Sequence, residues 1–274
     1  MLSPAKLNLN LRILGKRPDG FHEIQTLMVQ LPGLADTLTI SPATAFSFTC
    51  SDPSLPTDSR NLVVKAATAF SLAARLPLHL HIHLEKLIPH GAGLGGGSSN
   101  AANTLLALNE RFNQPLKSAD LYSIATSLGS DIPFFLTPGA ATCTGRGEII
   151  TPAPSPPPHP IVLFKPAFPV STPDAYRACL TAQPLPGIHH SAQTYQTLEF
   201  INDLETPVFA KHRYLAELKS WLLAQGPEIT KIALMSGSGS TIFSILHPTA
   251  HPHQLIEKAL KTFDPHLWTW SGTL

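Results

Sequence analysis

The chain has 274 residues and a formal net charge of +1 at pH 7, which suits one large domain or two modest ones. This near-neutral balance, with lysine and arginine scattered evenly, argues against nucleic acid or an anionic membrane surface as a partner. The three cysteines are far apart and in no CxxC spacing, so neither a disulfide framework nor a zinc site is indicated. With no bilayer-length apolar run and no signal or transit pattern, we expect a cytoplasmic protein.

The first half of the chain is predicted to open as a β-meander. Apolar and polar residues alternate from Leu7 to Ile13, and Pro18, Asp19 and Gly20 form a turn. Beyond it, the sequence predicts in order two strands, a helix and a third strand: QTLMVQL, ADTLTI, RNLVVKAATAFSLAARL and LHLHIHLEK.

A glycine cluster follows that third strand directly. PHGAGLGGGSSN, residues 89–100, holds five glycines within seven residues, and an alanine- and leucine-rich helix is predicted beyond it. Ser98, Ser99 and Asn100 are residue types that favour a helix N-cap. A strand, a glycine loop and a helix N-terminus in this order are typical of a phosphate-binding site. A mobile surface loop is the simpler alternative.

Three common types of phosphate-binding loop match this sequence poorly. Gly91, Gly93 and Gly96 satisfy GxGxxG, but no clear βαβ unit surrounds them, so a dinucleotide fold is only the second choice. Gly97 stands where a Walker A loop requires lysine. Protein-kinase HRD and DFG motifs are both missing from the chain.

The rest of the chain mixes helices with strands. KSADLYSIATSLG predicts a helix ending at Gly129, whereas SDIPFFL and GAATCTGRGEII have strand character. The proline-rich segment 151–160 is interpreted as a surface connector. After it come predicted strands and helices, namely IVLFKP, YLAELKSWLLAQ, KIALMSG, STIFSIL and HQLIEKALKTF. The pattern predicts an α+β protein of two lobes, residues 1–150 and 160–274.

These segments resemble a known family. PHGAGLGGGSSNAA is similar to the phosphate-binding motif of the GHMP kinase superfamily. The other matches span nearly the whole chain in the family's order: PAKLNLNLRILGKRPDGFHEIQTL, RNLVVKAA, LGSDIPFF, ATCTGRGE, NDLE and MSGSGSTIF. The resemblance implies a two-lobed GHMP-kinase-like fold, with an N-terminal ATP-binding lobe and a C-terminal substrate lobe.

The resemblance also implies an activity, the phosphorylation of a small-molecule alcohol with ATP and Mg²⁺. The opening segment is most similar to the branch whose alcohol carries a cytidine diphosphate. A mevalonate- or homoserine-type kinase and a non-catalytic nucleotide-binding relative are the alternatives. We expect a monomer or a weak homodimer.

Catalytic roles follow from the resemblance. Asp131 in LGSDIPFF matches the family's catalytic aspartate and is expected to accept the proton of the substrate hydroxyl. Lys6 would orient that hydroxyl and stabilise its developing negative charge. Asn8, two residues along the same strand face, is expected to hold this network together.

The glycine loop is expected to wrap the ATP phosphates, with Ser98 or Ser99 reaching a phosphate oxygen or Mg²⁺. Asn61 and Lys65 fall where the family places its adenine side. A second glycine turn, Ser236–Ser240, is expected to pack against the loop, unless it is an ordinary hairpin turn. The loop residues assigned to ATP are Pro89, His90, Gly91, Ala92, Gly93, Leu94, Gly95, Gly96, Gly97, Ser98 and Ser99.

PDGFHE is the segment that favours a cytidyl substrate. Phe21 would stack on the pyrimidine and His22 would bond its polar edge. The family usually has tyrosine where Phe21 stands, so one hydroxyl contact is lost. Tyr176 would close the other side of the base, with Thr172 nearby.

Two other features invite a functional reading. His79, His81 and His83 alternate on one strand, but no further ligand is evident, and we expect no protein metal site. NDLE, residues 202–205, resembles an acidic pair, yet it is interpreted as structural support for the substrate lobe.

Overall fold

The computed structural model describes residues 1–274. Twelve strands form two sheets, and seven α-helices pack on them. The strands are β1 (Leu2–Lys16), β2 (His22–Pro42), β3 (Ser47–Cys50), β4 (Leu80–Glu85), β5 (Ala140–Gly145), β6 (Ile149–Ala153), β7 (Pro160–Lys165), β8 (Gln193–Tyr195), β9 (Leu198–Asn202), β10 (Thr230–Met235), β11 (Ile242–Leu246) and β12 (Trp268–Thr273). The helices are α1 (Leu62–Ala74), α2 (Gly96–Arg111), α3 (Ser118–Leu128), α4 (Thr172–Ala178), α5 (Glu205–Lys211), α6 (Arg213–Leu223) and α7 (Pro252–Thr262).

The larger sheet has eight strands and branches at β2. Along its main path the strands lie in the order β3, β4, β2, β1, β9 and β8, and β5 pairs with β2 and β6. The first part of β2, Ile24–Val29, pairs with β5, and its last part, Thr37–Pro42, pairs with β4. The smaller sheet is antiparallel, in the order β10, β11, β7 and β12.

Strand β2 differs from the sequence prediction. QTLMVQL and ADTLTI belong to one continuous strand and not to two. The pairing with β1 jumps from Ala5 opposite Leu31 to Pro4 opposite Ala35. This bulge takes up the intervening Pro32, Gly33 and Leu34 while the strand continues, as bulges commonly accommodate residues that cannot join the ladder.

Three hydrophobic clusters form the core. One lies between helices α1–α3 and the larger sheet, and another lies between α4–α7 and the smaller sheet. The third joins the two sheets to each other, with Leu7 and Leu9 of β1 packed in the same cluster as Leu163 and Phe243. The alternation that predicted β1 therefore reflects a strand with one face in this third cluster.

SDIPFFL is a second difference from the prediction. The segment turns after Gly129 and forms a short 3₁₀ helix over Pro133–Leu136, with no strand. Phe134 and Phe135 are both buried, so their apolar character reflects burial beneath the helices. Proline at the first position also favours a helical turn over a strand.

The other predicted helices and strands are confirmed. Of the proline-rich segment, Thr151–Ala153 complete β6 and Pro160 begins β7, leaving a largely exposed connector between them. None of the helices combines the length and apolar character needed to span a bilayer.

Candidate active site

Two neighbouring cavities meet at the glycine loop. The larger is a cleft of about 810 Å³ that reaches from the loop to the turn after β1. The smaller, of about 420 Å³, lies on the other side of the loop, toward the start of α1. Gly91, Gly93, Gly95 and Ser98 line both, so the loop forms the wall between them.

Helix α2 begins earlier than its sequence suggested. Its N-cap is Gly95, with φ of +70°, and no side chain caps the helix. The expectation that Ser98, Ser99 or Asn100 would be the cap is wrong, since all three lie inside the helix. The first amide N–H groups of α2 therefore keep their capacity to bind an anion, which the helix dipole favours.

The two serines of the loop lie in different surroundings. Ser98 lines both cavities, as a phosphate or Mg²⁺ contact requires. Ser99 is fully buried, lines neither cavity, and its Oγ lies 3.3 Å from Nδ2 of Asn103. The geometry thus favours Ser98 over Ser99 for the predicted contact.

The second glycine turn packs against the loop, as predicted. Ser236 Oγ donates to the carbonyl of Gly93 over 3.0 Å, and Thr241 N donates to the carbonyl of Ala92 over 3.2 Å. A Cβ added to Gly93 would lie 2.2 Å from the Ser236 carbonyl oxygen. Only glycine fits at this contact, where φ is +75°.

Lys6 lies on the floor of the larger cleft. Its side chain is 4% exposed, and its Nζ lies 3.8 Å from Oδ2 of Asp131, whose side chain is 42% exposed. Nζ also donates to Oδ1 of Asn8. Burial lowers the pKa of Lys6, and the Asp131 carboxylate partly opposes that shift. The structure therefore brings together the three residues assigned to the catalytic network.

Both glycine turns close over Lys6. A Cβ on Gly95 would come within 2.8 Å of Lys6 Cγ, and one on Gly237 would lie 3.2 Å from Nζ. The ammonium group therefore lies where the loop, the second turn and Asp131 converge.

Thr26 is a site residue that the sequence analysis missed. Asn8 Nδ2 donates to Thr26 Oγ1 over 2.8 Å, and that hydroxyl donates to the Asn10 carbonyl over 2.5 Å. Thr26 is 1% exposed and lines the cleft. Its partner Asn8 lies on the adjacent strand, so only the β1–β2 register could have revealed the contact.

The predicted substrate residues Phe21, His22, Thr172 and Tyr176 line the same cleft. The rings of His22 and Tyr176 lie 5.6 Å apart between centroids and are tilted by 32°. Phe21 is 52% exposed, and Thr172 Oγ1 lies 2.7 Å from the hydroxyl of Ser238. One cleft therefore holds an aromatic pocket, formed by Phe21, His22 and Tyr176, together with Lys6 and Asp131.

The smaller cavity contains most of the residues assigned to ATP. Asn61 lines it, but its side chain also caps α1 by accepting from Val63 N and donates to the Pro56 carbonyl. Lys65 lies on the exposed face of α1 and lines neither cavity. In α1 the neighbours Val64 and Ala66 are buried, so the side chain of Lys65 lies on the opposite, exposed face. The geometry therefore does not support the predicted contact between Lys65 and adenine. Residues of this cavity that the sequence analysis did not assign to ATP are Leu55, Pro56, Arg60, Leu62, Leu84, Lys86 and Asn100.

Comparison with known proteins identifies the family. The profile described as GHMP kinases N terminal domain matches residues 61–139. Two relatives named 4-diphosphocytidyl-2-C-methyl-D-erythritol kinase align over most of both chains. The one from Protochlamydia amoebophila is 44% identical over 89% of this chain and 83% of its own. The one from Methylacidiphilum infernorum is 41% identical over 97% and 93%. This chain belongs to the 4-diphosphocytidyl-2-C-methyl-D-erythritol kinase family.

Solved structures agree with this assignment. A crystal structure of 4-(cytidine 5'-diphospho)-2C-methyl-D-erythritol kinase is 34% identical, covers 100% of this chain and 98% of its own, and superposes with a TM-score of 0.78. A homoserine kinase from Cytophaga hutchinsonii is 18% identical, with a TM-score of 0.64 over 99% and 92% of the two chains, and shares the fold. The predicted α+β GHMP-kinase-like fold is confirmed.

Two buried polar networks support the site in this member of the 4-diphosphocytidyl-2-C-methyl-D-erythritol kinase family. Asp36, fully buried, accepts from the backbone N–H of Leu87 and Ile88 and from Asn100 of α2, and pairs with Lys86. It therefore ties the chain entering the glycine loop to the helix leaving it.

The second network involves NDLE. Asn202 Nδ2 donates to the carbonyls of Met235 and Gly237, both over 2.7 Å. Glu205 accepts from Met235 N and from Lys219. These bonds hold the start of the second glycine turn, which confirms the structural interpretation of NDLE.

Proposed function

We propose that this chain transfers the γ-phosphoryl group of ATP to the 2-hydroxyl of 4-diphosphocytidyl-2-C-methyl-D-erythritol, giving the 2-phosphate and ADP. This is a step of the non-mevalonate route to isoprenoid precursors. The observation that carries the proposal is the position of Lys6 and Asp131. They line one cleft together with a glycine loop suited to phosphates and an aromatic pocket suited to a pyrimidine.

The nucleotide is proposed to lie in the smaller cavity. Its phosphates would run along the uncapped N-terminus of α2, where the loop backbone and the hydroxyl of Ser98 meet them. Phosphates at the Gly93–Gly95 wall would place the γ-phosphoryl group at the edge of the larger cleft. That edge is where the acceptor hydroxyl must arrive for an in-line transfer.

The transfer itself needs little from the protein beyond position and charge. Asp131, half-exposed in the cleft, would accept the proton of the 2-hydroxyl as the oxygen attacks phosphorus. Lys6, held by Asn8, would stabilise the negative charge developing on that oxygen. Because Lys6 is buried, its charge acts with less screening by water than a surface lysine would provide.

The cytidyl group is proposed to occupy the aromatic end of the cleft. Phe21 and Tyr176 offer ring faces, and His22 offers nitrogen atoms to the polar edge of the base. Mevalonate or homoserine would leave this pocket empty, so the geometry favours the cytidyl compound over those two alcohols.

Mg²⁺ is proposed to arrive with ATP. No three His, Cys, Asp or Glu side chains are grouped to hold a metal ion, and Mg²⁺ in kinase sites commonly takes most of its ligands from phosphates and water. Ser98 and Asp131 are the oxygen-bearing side chains that line the cleft beside the loop and could complete its coordination.

We also propose that residues 1–150 act as the ATP-binding lobe and residues 160–274 as the substrate lobe. The glycine loop precedes the proline-rich connector, and Thr172 and Tyr176 follow it. A monomer or a weak homodimer is proposed as the assembly of this chain. The three free cysteines suit the reducing cytoplasm.

ADP release tests the function directly. The purified protein is offered ATP and Mg²⁺ with the cytidyl compound, mevalonate or homoserine, and Asp131→Ala serves as the matched control. We expect turnover with the cytidyl compound alone, lost in the variant. Turnover with another alcohol would disprove the substrate assignment, and ATP binding without any turnover would favour a regulatory nucleotide-binding protein.

A further inference from the structure

Arg146 lies at the tip of the hairpin between β5 and β6 and lines the larger cleft opposite α4. We propose that Arg146 is a specificity-determining residue for the cytidine diphosphate part of the substrate, acting by fixing the ring of Phe21. The inference rests on the function proposed above and extends it to a residue outside the aromatic pair and its histidine.

The contact with Phe21 is the first observation. The guanidinium carbon of Arg146 lies 4.7 Å from the centroid of the Phe21 ring, within the distance of a cation–π contact. Phe21 is otherwise half-exposed on a turn, where an unsupported ring would sample several orientations. A planar guanidinium stacked on one face holds the ring and leaves the other face for a planar base.

The hairpin tip that carries Arg146 is itself well held. Gly145 and Gly147 have φ of +73° and +111°, which defines a tight turn that other residues would strain. Arg146 N donates to Glu148 Oε2 over 2.6 Å, and Gly145 N donates to Glu23 Oε1 over 3.2 Å. Glu23 follows His22 in β2, so the hairpin is tied to the strand that carries the base pocket.

The same tip also reaches the catalytic end of the cleft. A Cβ added to Gly147 would lie 3.7 Å from Oδ1 of Asp131. One short turn is therefore close to the proposed base at Gly147 and to the proposed stacking ring at Arg146.

The charges lining the cleft agree with a diphosphate ligand. Asp131 is the one acidic residue among the lining residues, against the four cationic residues Lys6, Lys16, Arg146 and Arg177. Arg146 is 30% exposed and lies 3.8 Å from Glu148 through Nε, so its charge is only partly neutralised. Arg177 is paired with Asp174 over 2.8 Å, so Lys16 and Arg146 supply the excess positive charge that a substrate with two phosphates would meet.

Steady-state kinetics of the full chain test the inference. In Arg146→Met, which keeps the length of the side chain without its charge or plane, we expect KM for the cytidyl substrate to rise about tenfold. We expect kcat to stay within about twofold and KM for ATP to be unchanged. Arg146→Lys, which keeps the charge alone, should show a rise of about threefold.

A double-mutant cycle of Arg146 and Phe21 shows whether Arg146 affects KM through the Phe21 ring or through the structure of the hairpin. In a Phe21→Leu background, Arg146→Met should add less than about twofold to KM, because its partner ring is gone. Glu148→Gln keeps an oxygen that can accept from Arg146 N but removes the ion pair, and it should leave KM within about twofold. Thermal unfolding of each variant verifies folding.

Distinct outcomes overturn the inference and the proposed function. No turnover of the cytidyl compound by the wild-type chain overturns the function. With an active wild type, an unchanged KM in Arg146→Met overturns the inference, as does an equal rise in the Phe21→Leu background. Equal defects in Arg146→Met and Glu148→Gln, or a fall in kcat with a rise in KM for ATP, would show a structural hairpin and also overturn it.

Discussion

Lys6 and Asp131 form an asymmetric pair, with a buried ammonium group beside a half-exposed carboxylate. Water can reach Asp131, and so can a substrate hydroxyl, whereas Lys6 is reached only through its neighbours. The asymmetry suits a base that must meet its substrate and a cation that must remain in place. It also makes the charge of Lys6 sensitive to pH.

The pH dependence of kcat follows from that burial. The pKa of Lys6 is lowered from its ordinary value of 10.5, and the proposed role needs the protonated form. As pH rises through the lowered pKa, Lys6 loses its proton and its positive charge. We therefore expect kcat to decrease on the alkaline side with a midpoint below pH 10.5. Circular dichroism at each pH serves as the folding control. A kcat that stays constant up to pH 10.5 would contradict the assigned role of Lys6.

Thr26 supports the catalytic network from β2. In Thr26→Val, Asn8 Nδ2 loses its acceptor in a buried setting, and the half-buried Asn10 carbonyl loses a donor. We expect a loss of about 1–3 kcal/mol in the free energy of unfolding, measured by urea denaturation.

Thr39→Val is the matched control for that substitution. Thr39 lies on the same strand but is exposed, and the change should alter stability by less than about 0.5 kcal/mol. Equal stability losses in the two variants would show that the hydroxyl of Thr26 is not a special contact.

At the scale of elements, the contact between the two glycine turns is the feature that shapes the site. Apart from the hydroxyl of Ser236, which donates to the Gly93 carbonyl, the atoms that meet at this contact are backbone carbonyls and amides. Their spacing is therefore set by the absence of Cβ atoms. Hydrogen bonds of Asp36 hold the two ends of the glycine loop, and those of Asn202 and Glu205 hold the start of the second glycine turn.

Gly93→Ala should be strongly destabilising. The new Cβ would lie 2.2 Å from one backbone carbonyl oxygen and 2.9 Å from another, at a φ of +75°. We expect a loss of about 2–5 kcal/mol in the free energy of unfolding from overpacking and left-handed strain, together with a raised KM for ATP.

Gly97→Ala is the matched control for stability. Its Cβ would come no closer than 3.5 Å to another atom, and the residue lies in the first turn of α2. Stability should be unchanged or raised by up to about 1 kcal/mol, since alanine is the better helix former. Comparable losses in the free energy of unfolding in Gly93→Ala and Gly97→Ala would contradict the argument that the contact with the second glycine turn is what requires glycine at position 93.

At the scale of the whole molecule, the two halves of the chain share structure. Strand β9 pairs in parallel with β1 at Asn10 and Leu11, and the core between the sheets contains residues from before and after the connector. Phe200, 1% exposed, packs in that shared core. The proposed lobes are therefore expected to unfold together.

Urea unfolding tests this cooperativity with one probe in each half. Trp221 packs in the cluster of α4–α7 and the smaller sheet, so its fluorescence reports the second half in a variant whose Trp268 and Trp270, which pack in the shared core, are replaced by phenylalanine. Thiol labelling of the buried Cys143, in a variant with Cys50 and Cys179 replaced by serine, reports the first. We expect coincident transitions.

Phe200→Ala should move both transitions equally, with a loss of about 3–5 kcal/mol in the free energy of unfolding. Transitions at separate urea concentrations, or a shift confined to one probe, would show that the lobes fold independently.

Much of this architecture was predictable because it is local. The period-2 alternation of β1 and β4 and the helical spacing of α1 and α6 arise from elements with one buried face, and burial leaves its mark on the sequence. The glycine loop was equally visible, since five glycines between a strand and a helix are costly unless backbone must approach backbone or phosphate.

The predictions that were wrong concern segments whose structure depends on contacts with distant parts of the chain. The break expected between QTLMVQL and ADTLTI did not form, because pairing with β1 and β4 carries the strand through a bulge. SDIPFFL looked like a strand because burial beneath helices leaves the same apolar pattern as burial in a sheet. Gly95 replaced the serines as the start of α2 because the helix begins within the glycine loop.

The sequence by itself determined the periodic elements, the phosphate loop and, through seven ordered motifs, the family resemblance. Only the tertiary structure brought Lys6 within 3.8 Å of Asp131, paired Asn8 with Thr26, and placed Arg146 on the ring of Phe21. The reason is physical. Periodicity depends on neighbours within a turn or a pleat, whereas contacts between residues far apart in the chain depend on strand register, bulges and the packing of glycine turns.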